Sequence, residues 1–446
     1  MNKEKKFITA KIAPRGDKKI AFKVNKGEPI EVLPEQVYAA FLHMAKCYFT
    51  NAADRPDVVL SVPPYFSAVE RQSVLDAAWI ANVNCLWLIN ENTAVALNYG
   101  FFRRTEFSEN EARNVAFVDF GHGKVTATIA SFTQKKVKII SHASDWNIGA
   151  RNFDYSMMNV FADEFAEKYG CDPRESPKAW LRMLDTIEKA RKILSANSEA
   201  SVSVECLMED EDLYRVIKWD EFIELISNDL EQLKGVLVQA MNESGLTAND
   251  IHSVEMIGEG SRIPAVIELS QEVFGQERGS RTLNSAEACA RGCSLMAAMI
   301  LPHFHVASFQ IEECNPYPVD VSWSLLDNSM KTKTLFPGKS NYPSVKSMTF
   351  DKRKEPMQVA VSYNQPELLV EGIPHFLSRY QIDVPEPKHE KFGLKLRVKV
   401  DQNCIPGLDT AELVEEYQEE KKIPVKAAPP PKTEKKEGEE DAKEEK

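Results

Sequence analysis

Hydrophobic and polar positions change period several times along this chain, and each change marks an element. Over 115–130 (VAFVDFGHGKVTATIA) an apolar run leads into Asp119. Gly121-His122-Gly123 follows, and then Val125, Ala127 and Ile129 alternate with Thr126 and Thr128. That order predicts a buried strand, a tight glycine turn and a half-buried strand. Upstream, residues 7–24 predict two short strands about Arg15-Gly16-Asp17. Pro34 opens a helix over 35–49, with Val37, Phe41, Met44, Ala45 and Tyr48 at helical spacing. A strand over 58–62 stops at Pro63-Pro64, Ser67 and Glu70 form a capping-box pattern for a helix reaching 82, and a strand over 85–89 runs through Glu91 into a helix over 93–99.

Downstream, a strand over 137–142 precedes the small-residue turn Asn147-Ile148-Gly149-Ala150 and a helix over 152–169. A helix over 180–196, strands over 200–208 and 214–218, and one long helix over 220–244 predict an α+β insert. A strand over 254–257 enters the turn GEGSRIP (258–264), a helix over 265–274 follows, and Asn284 and Glu287 cap a last helix ending before Pro302. After 306 the pattern alternates over 307–325, 344–363 and 394–400, which predicts a separate β domain. A short helix is expected over 410–422, and residues 427–446, without a large apolar side chain, are expected to be disordered.

Composition narrows the class. A chain of 446 residues, 43% hydrophobic and 27% charged, has room for two or three globular, soluble domains. No apolar run nears the roughly 20 residues a membrane span needs, and the lysine-bearing N-terminus lacks the apolar core of a secretory signal. A formal net charge of −12 argues against nucleic acid as a main partner. Eight cysteines in this length do not make a disulfide framework, and the cytoplasm is the default compartment. Cys289 and Cys293, four apart on a predicted helix with His303 and His305 beyond, make a metal site conceivable but disfavoured.

Several residues then carry candidate chemistry. Backbone N–H groups in the 121–123 turn can form an anion-binding concavity, so the hairpin could cradle a phosphate, with Asp119 holding a metal-bound water or orienting a nucleophile. The same Asp-x-Gly-x-Gly also ends ordinary hairpins. Glu91, between a strand end and a helix start, either faces a cleft or serves the helix dipole. The helix start after Gly149 exposes N–H groups suited to an anion. Glu188, Arg191, Lys192 and Ser195 lie side by side on one helix face, which on spacing alone is a solvated face with intrahelical ion pairs.

The motifs together resemble the ATPase domain of the 70-kDa heat-shock proteins: VVLSVPPYFSAVERQSVLDAAWIANVNCLWLINENTAVALNYG (58–100), VDFGHG (118–123), NIGARNFD (147–154), EKARKILSAN (188–197) and IGEGSRIP (257–264). The Gly-His pair, RGCSLMAA (291–298) and NPYPVDVSW (315–323) favour the larger 110-kDa branch. The resemblance implies an α/β, actin-like two-lobed ATPase fold with its first lobe incomplete, followed by a β-sandwich substrate-binding domain. It places a partial nucleotide-binding domain at 1–300, with a remnant of lobe I at 1–113 and lobe II at 114–300 carrying an insert at 155–253. A linker at 301–306, a client-binding β-sandwich at 307–409 and a short helix with a charged tail at 410–446 complete it.

By motif, Asp119, Gly121, Gly123 and Gly149 are expected at the phosphates of ATP or ADP. Glu188, Arg191, Lys192 and Ser195 are expected at the adenosine, opposite Gly258 and Arg262. Glu91 and Asp119 are expected to meet Mg2+ through water, and Pro63 and Arg71 match the family's interdomain relay. The chain departs from the family pattern as well. It begins after the first phosphate turn and the catalytic lysine, so hydrolysis is expected to be weak or absent. Lys124 and Thr126 replace hydroxyl and acidic residues of active members, Glu259 replaces a glycine and could repel a nucleotide, and Ala286 replaces an acidic residue. Pro302, His303 and His305 make the linker region unlike the usual leucine-rich one.

The leading expectation is a cytoplasmic or also nuclear co-chaperone. It would exchange nucleotide on a 70-kDa heat-shock partner and hold unfolded clients, with no nucleic-acid or membrane partner. The alternatives are an ATP-independent holdase or interaction protein with a degenerate nucleotide site, a small-molecule kinase on the same fold, and a partial product of a longer gene.

Overall fold

The computed structural model describes residues 7, 10–16, 19–48, 54–276, 279–327 and 329–417. The first strands, β1 (Lys11–Arg15), β2 (Lys19–Lys26) and β3 (Glu28–Val32), form an antiparallel sheet, with Arg15 opposite Lys19 across the expected turn. The third strand was not legible in the sequence. Pro34 occupies the first turn of α1 (Pro34–Cys47), which buries Ala39 and Leu42. β4 (Asp57–Val62) crosses over through α2 (Ala68–Ile80) to the parallel β5 (Asn84–Asn90), and α3 (Glu91–Arg103) follows directly. The capping box at the start of α2 is as expected: the Ser67 N–H and hydroxyl each donate to the Glu70 carboxylate at 2.8 Å.

The largest body is built on β6 (Arg113–Phe120), β7 (Val125–Thr133) and β8 (Lys136–Asp145), an antiparallel meander. After it come α4 (Ala150–Tyr169), α5 (Pro177–Leu194), the hairpin β9 (Glu199–Met208) and β10 (Glu211–Lys218), α6 (Trp219–Leu225) and α7 (Ser227–Ser244). β11 (Ile251–Ile257), α8 (Pro264–Phe274) and α9 (Ala288–Ile300) complete it. β11 runs parallel to β6, so both strands deliver their C-terminal ends to one edge, where Asp119 pairs with Ile257. The single helix expected over 220–244 is two helices broken at Ile226 (φ −100°, ψ 8°). Ile226 is fully buried with Phe222, and the following Ser227-Asn228-Asp229 favours a fresh helix start.

β12 (Gln310–Cys314) corrects the expected boundary at 307. It runs parallel to β8, with Gln310 opposite Lys136 and Glu312 opposite Lys138, and so belongs to the large sheet. An ion pair lies along the seam, with Lys136 Nζ 2.9 Å from Glu312. Beyond it, β13 (Val319–Ser324), β14 (Met330–Phe336), β15 (Asn341–Tyr342), β16 (Ser344–Asp351), β17 (Met357–Tyr363), β18 (Phe376–Ile382), β19 (Lys391–Val400) and β20 (Pro406–Glu416) follow. β14-β13-β17-β18 form one antiparallel sheet and β16-β19-β20 another. They share one core in which Val319, Val321, Val359 and Val361 meet Leu396, Val398 and Val400.

The helix expected over 410–422 is a second correction. Residues 410–416 belong to strand β20, where Ala411 pairs with Leu396 and Leu413 with Leu394. Its helix-favouring Ala, Glu and Leu yield to a free strand edge, because pairing on β19 outweighs local propensity. Residues 418–422 and the tail at 427–446 lie outside the described residues. Among the described residues no helix is long and apolar enough to cross a membrane.

Candidate functional site

The hairpin tip between β6 and β7 is the meeting point. Gly121 N–H donates to the Lys124 carbonyl at 3.0 Å and closes the turn. The start of α4 is seated on it: Ala150 N–H donates to the Gly121 carbonyl at 3.1 Å and Arg151 N–H to the His122 carbonyl at 2.9 Å. Gly149 is required by this approach, since a Cβ there would lie 2.5 Å from the His122 oxygen. On the other side, Gly258 after β11 has φ +77°, and a Cβ would meet the Phe120 oxygen at 2.6 Å and Asp119 Oδ1 at 2.7 Å. Gly121, Gly123, Gly149 and Gly258 therefore do converge, with Asp119 among them.

Charge at the tip is set by four groups. Lys124 reaches back to form an ion pair with Glu91 at the start of α3. The Arg151 guanidinium lies over the turn, 3.1 Å from where a Cβ of Gly123 would be. Burial lifts the Asp119 carboxyl to about 6, with Glu91 adding to the rise and Lys124 opposing it. Two cations flanking a glycine turn fit a phosphate. Lys124, read in the sequence only as a departure, is thus the partner of Glu91.

The helix face on α5 divides into two. Arg191 is buried at 6% exposure and holds Asp154 of α4 through Nε at 2.6 Å and Nη2 at 3.2 Å. Lys192 and Glu188 stay at the surface and pair at 2.6 Å, and that hydrogen bond lowers the Glu188 carboxyl. Ser195 donates to the Arg191 carbonyl at 3.1 Å. His122 brings the hairpin into electrostatic range of both Glu188 and Asp154. Across the tip, Arg262 pairs with Glu259 at 2.7 Å, and Ser285 donates to Glu259 at 2.7 Å. The Glu259 carboxylate that could repel a nucleotide is therefore matched by Arg262 and held low, chiefly by the Ser285 hydroxyl. Asp154 was missed because its partner is 37 residues away. Among the described residues no group of three or more His, Cys, Asp or Glu is arranged to hold a metal ion.

A second cluster joins the two-sheet unit to the rest. Pro63 follows β4, and its carbonyl accepts from Phe66 at 3.1 Å. Arg71 of α2 is fully buried and donates to the Phe66 carbonyl at 2.9 Å, the Pro64 carbonyl at 3.3 Å, Asn90 Oδ1 at 2.7 Å and the Asn403 carbonyl at 3.4 Å. Asn90 Nδ2 in turn donates to Glu313 of β12 and to the Tyr342 hydroxyl, each at 3.0 Å. Thr93 and Tyr342 also donate to Glu313. Tyr363 accepts from the Ala68 N–H at 2.9 Å, and Leu88 N–H donates to Asn403 Oδ1 at 2.9 Å. Asn90, Glu313 and Tyr342 carried no local signal in the sequence, being separated by more than 200 residues from their partner across the joint.

A mixed α/β body with glycine-rich turns at its strand ends, locked to a two-sheet β unit through a buried polar network, defines a two-part protein. A protein-family model described as Hsp70 protein matches residues 1–446, and the chain belongs to that family. It is 39% identical over 378 residues to Heat shock 70 kDa protein 14 of Arabidopsis thaliana, covering 83% of this chain and 45% of that one. It is 33% identical over 434 residues to the 97 kDa heat shock protein of Strongylocentrotus purpuratus (96% and 48%). It is 36% identical over 393 residues to Heat shock 70 kDa protein 4 of Rattus norvegicus (86% and 46%). Relatives of the larger type are thus among them, and the chain spans about half the length of the curated relatives it matches.

Proposed function

We propose that the chain is a nucleotide-responsive chaperone of this family, acting as exchange factor for a 70-kDa partner and as holdase for unfolded clients. The observation that carries the reading is the adjacency of Asn90 and Glu91. Glu91 pairs with Lys124 on the anion turn, while Asn90 binds Arg71, Glu313 and Tyr342 at the joint. A phosphate at Gly121–Gly123 competes with Glu91 for Lys124, and the end of β5 carries that change to β12 and the two-sheet unit. In this reading ATP or ADP lies between the Glu188–Lys192 face and the turn holding Gly258 and Arg262, with Mg2+ held through water by Asp119 and Glu91. The two-sheet unit is the client-binding β-sandwich, and its exposed Leu326 and Met330 at the β13–β14 loop offer apolar surface to an unfolded chain. The protein works in the cytoplasm or nucleus.

A titration with a fluorescent ADP analogue and magnesium tests the site. Lys192→Ala is the informative variant because its side chain is exposed, whereas loss of Arg191 strands a buried Asp154. Micromolar binding weakened about tenfold by Lys192→Ala supports the reading, and no binding by folded protein refutes it. Stimulated ADP release from a 70-kDa partner tests the exchange role in the same way. The second reading, an ATP-independent holdase, is favoured by the ion pairs Arg191–Asp154 and Glu91–Lys124, which already satisfy groups a nucleotide would engage. It predicts suppression of client aggregation that ATP leaves unchanged.

A further inference from the structure

One chemically competent pair lies beside this site without a role in it. Cys289 and Cys293 stand four apart in the first two turns of α9, both partly exposed and both free thiols. The Cys289 sulfur lies near the Cys293 thiol and the Ser61 hydroxyl toward the end of β4. Cys289 lies at the positive end of the helix dipole, an environment that favours thiolate. The two thiols perturb each other strongly, and its place at the dipole's positive end singles out Cys289 as the one more readily ionised. The carboxylates of Glu91 and Asp119 oppose ionisation of Cys289 without reversing it.

We propose that Cys289 and Cys293 form a reversible thiol–disulfide site for hydrogen peroxide, with Cys289 attacking and Cys293 resolving. The Cys289 thiolate attacks one peroxide oxygen and the O–O bond breaks. Hydroxide leaves and takes a proton as water, and Cys289 becomes a sulfenic acid. The Cys293 sulfur then attacks the Cys289 sulfur, the S–O bond breaks, and the hydroxyl leaves with the Cys293 proton as a second water. Two thiols are oxidised to one disulfide, and one peroxide is reduced to two waters.

Geometry gives the bridge a consequence. Helical positions four apart hold their Cβ atoms about 5–6 Å apart, whereas a disulfide needs about 3.5–4.5 Å. Closing the bridge therefore bends the first turns of α9. Gly292, between the two cysteines, is pressed on α3 so closely that a Cβ would lie 1.9 Å from the Ala94 carbonyl oxygen. The bend is passed to α3, whose first residue is Glu91. A strained bridge is also readily reduced, as a reversible site requires.

Arg291 lies between the two cysteines, so trypsin separates them and a bridge appears as a linked pair of peptides, 282–291 and 292–331. The full chain is treated with stoichiometric hydrogen peroxide, alkylated and digested. The expected result is a linked pair that disappears with dithiothreitol, is absent in Cys289→Ser and Cys293→Ser, and persists in Cys314→Ala, which removes the other cysteine of the second peptide. The oxidised chain should also melt below the reduced one. Two results overturn the proposal: both thiols still alkylating fully after peroxide, or a link that persists in Cys293→Ser and vanishes in Cys314→Ala.

Discussion

Arg71 concentrates the energetics of the joint. Its guanidinium has no water to turn to and satisfies Phe66, Pro64, Asn90 and Asn403 together. Arg71→Ala leaves buried acceptors unpaired and should cost about 3 kcal/mol or more, measured by urea unfolding. Asn90→Ala, which removes the link to Glu313 but keeps Arg71, should cost less. Asp119 behaves oppositely. Its folded carboxyl sits at about 6, above the unfolded value. The folded chain therefore holds that proton more tightly, and the stabilisation is full below about pH 4 and lost as pH rises through about 6. Asp119→Asn removes this dependence. Its thermal midpoint relative to the parent chain should rise from pH 4.5 to 7.5, by roughly 2 °C or more. A difference that stays flat across that range contradicts the assignment.

Among the elements, those specified by neighbours in sequence were legible and those specified from afar were not. The hairpin at 113–133 and the Ser67–Glu70 capping box are local signals. Pro34 at the first turn of α1 is another. The long helix failed at Ile226 because a buried side chain, not a helix breaker, sets the break. The strand over 406–416 failed because its partner, β19, outweighs its own helix propensity. At the candidate site the glycines and Glu91 were legible as a motif, whereas Lys124, Asp154 and Glu313 became visible only through partners 33 to 223 residues away. Helix α9 gives a prediction with a definite sign. At an open helical position Gly→Ala stabilises by about 1 kcal/mol. At Gly292 the new Cβ meets the Ala94 carbonyl, so Gly292→Ala should instead destabilise by about 1–3 kcal/mol in urea unfolding. A gain in stability would show that α9 and α3 are not held in backbone contact.

At the scale of the whole molecule, the body carrying the glycine turn and the two-sheet unit are joined through the β12–β15 pairing and a buried polar network. β12 is hydrogen-bonded into the large sheet and pairs on its other side with β15, whose Tyr342 holds Glu313 and packs in the core of the two-sheet unit. Parting β12 from Asn90 and Thr93 would leave Glu313 and Asn90 short of partners together, each costly to leave unpaired. A ligand at the hairpin can bias this equilibrium only by binding its two states unequally. The direct test is amide hydrogen exchange at residues 310–314 of the full chain, with and without millimolar magnesium ATP. The account predicts that ATP slows exchange there about tenfold or more, and that Asn90→Ala removes the effect. Exchange at 310–314 that is the same with and without ATP would contradict a nucleotide-responsive joint.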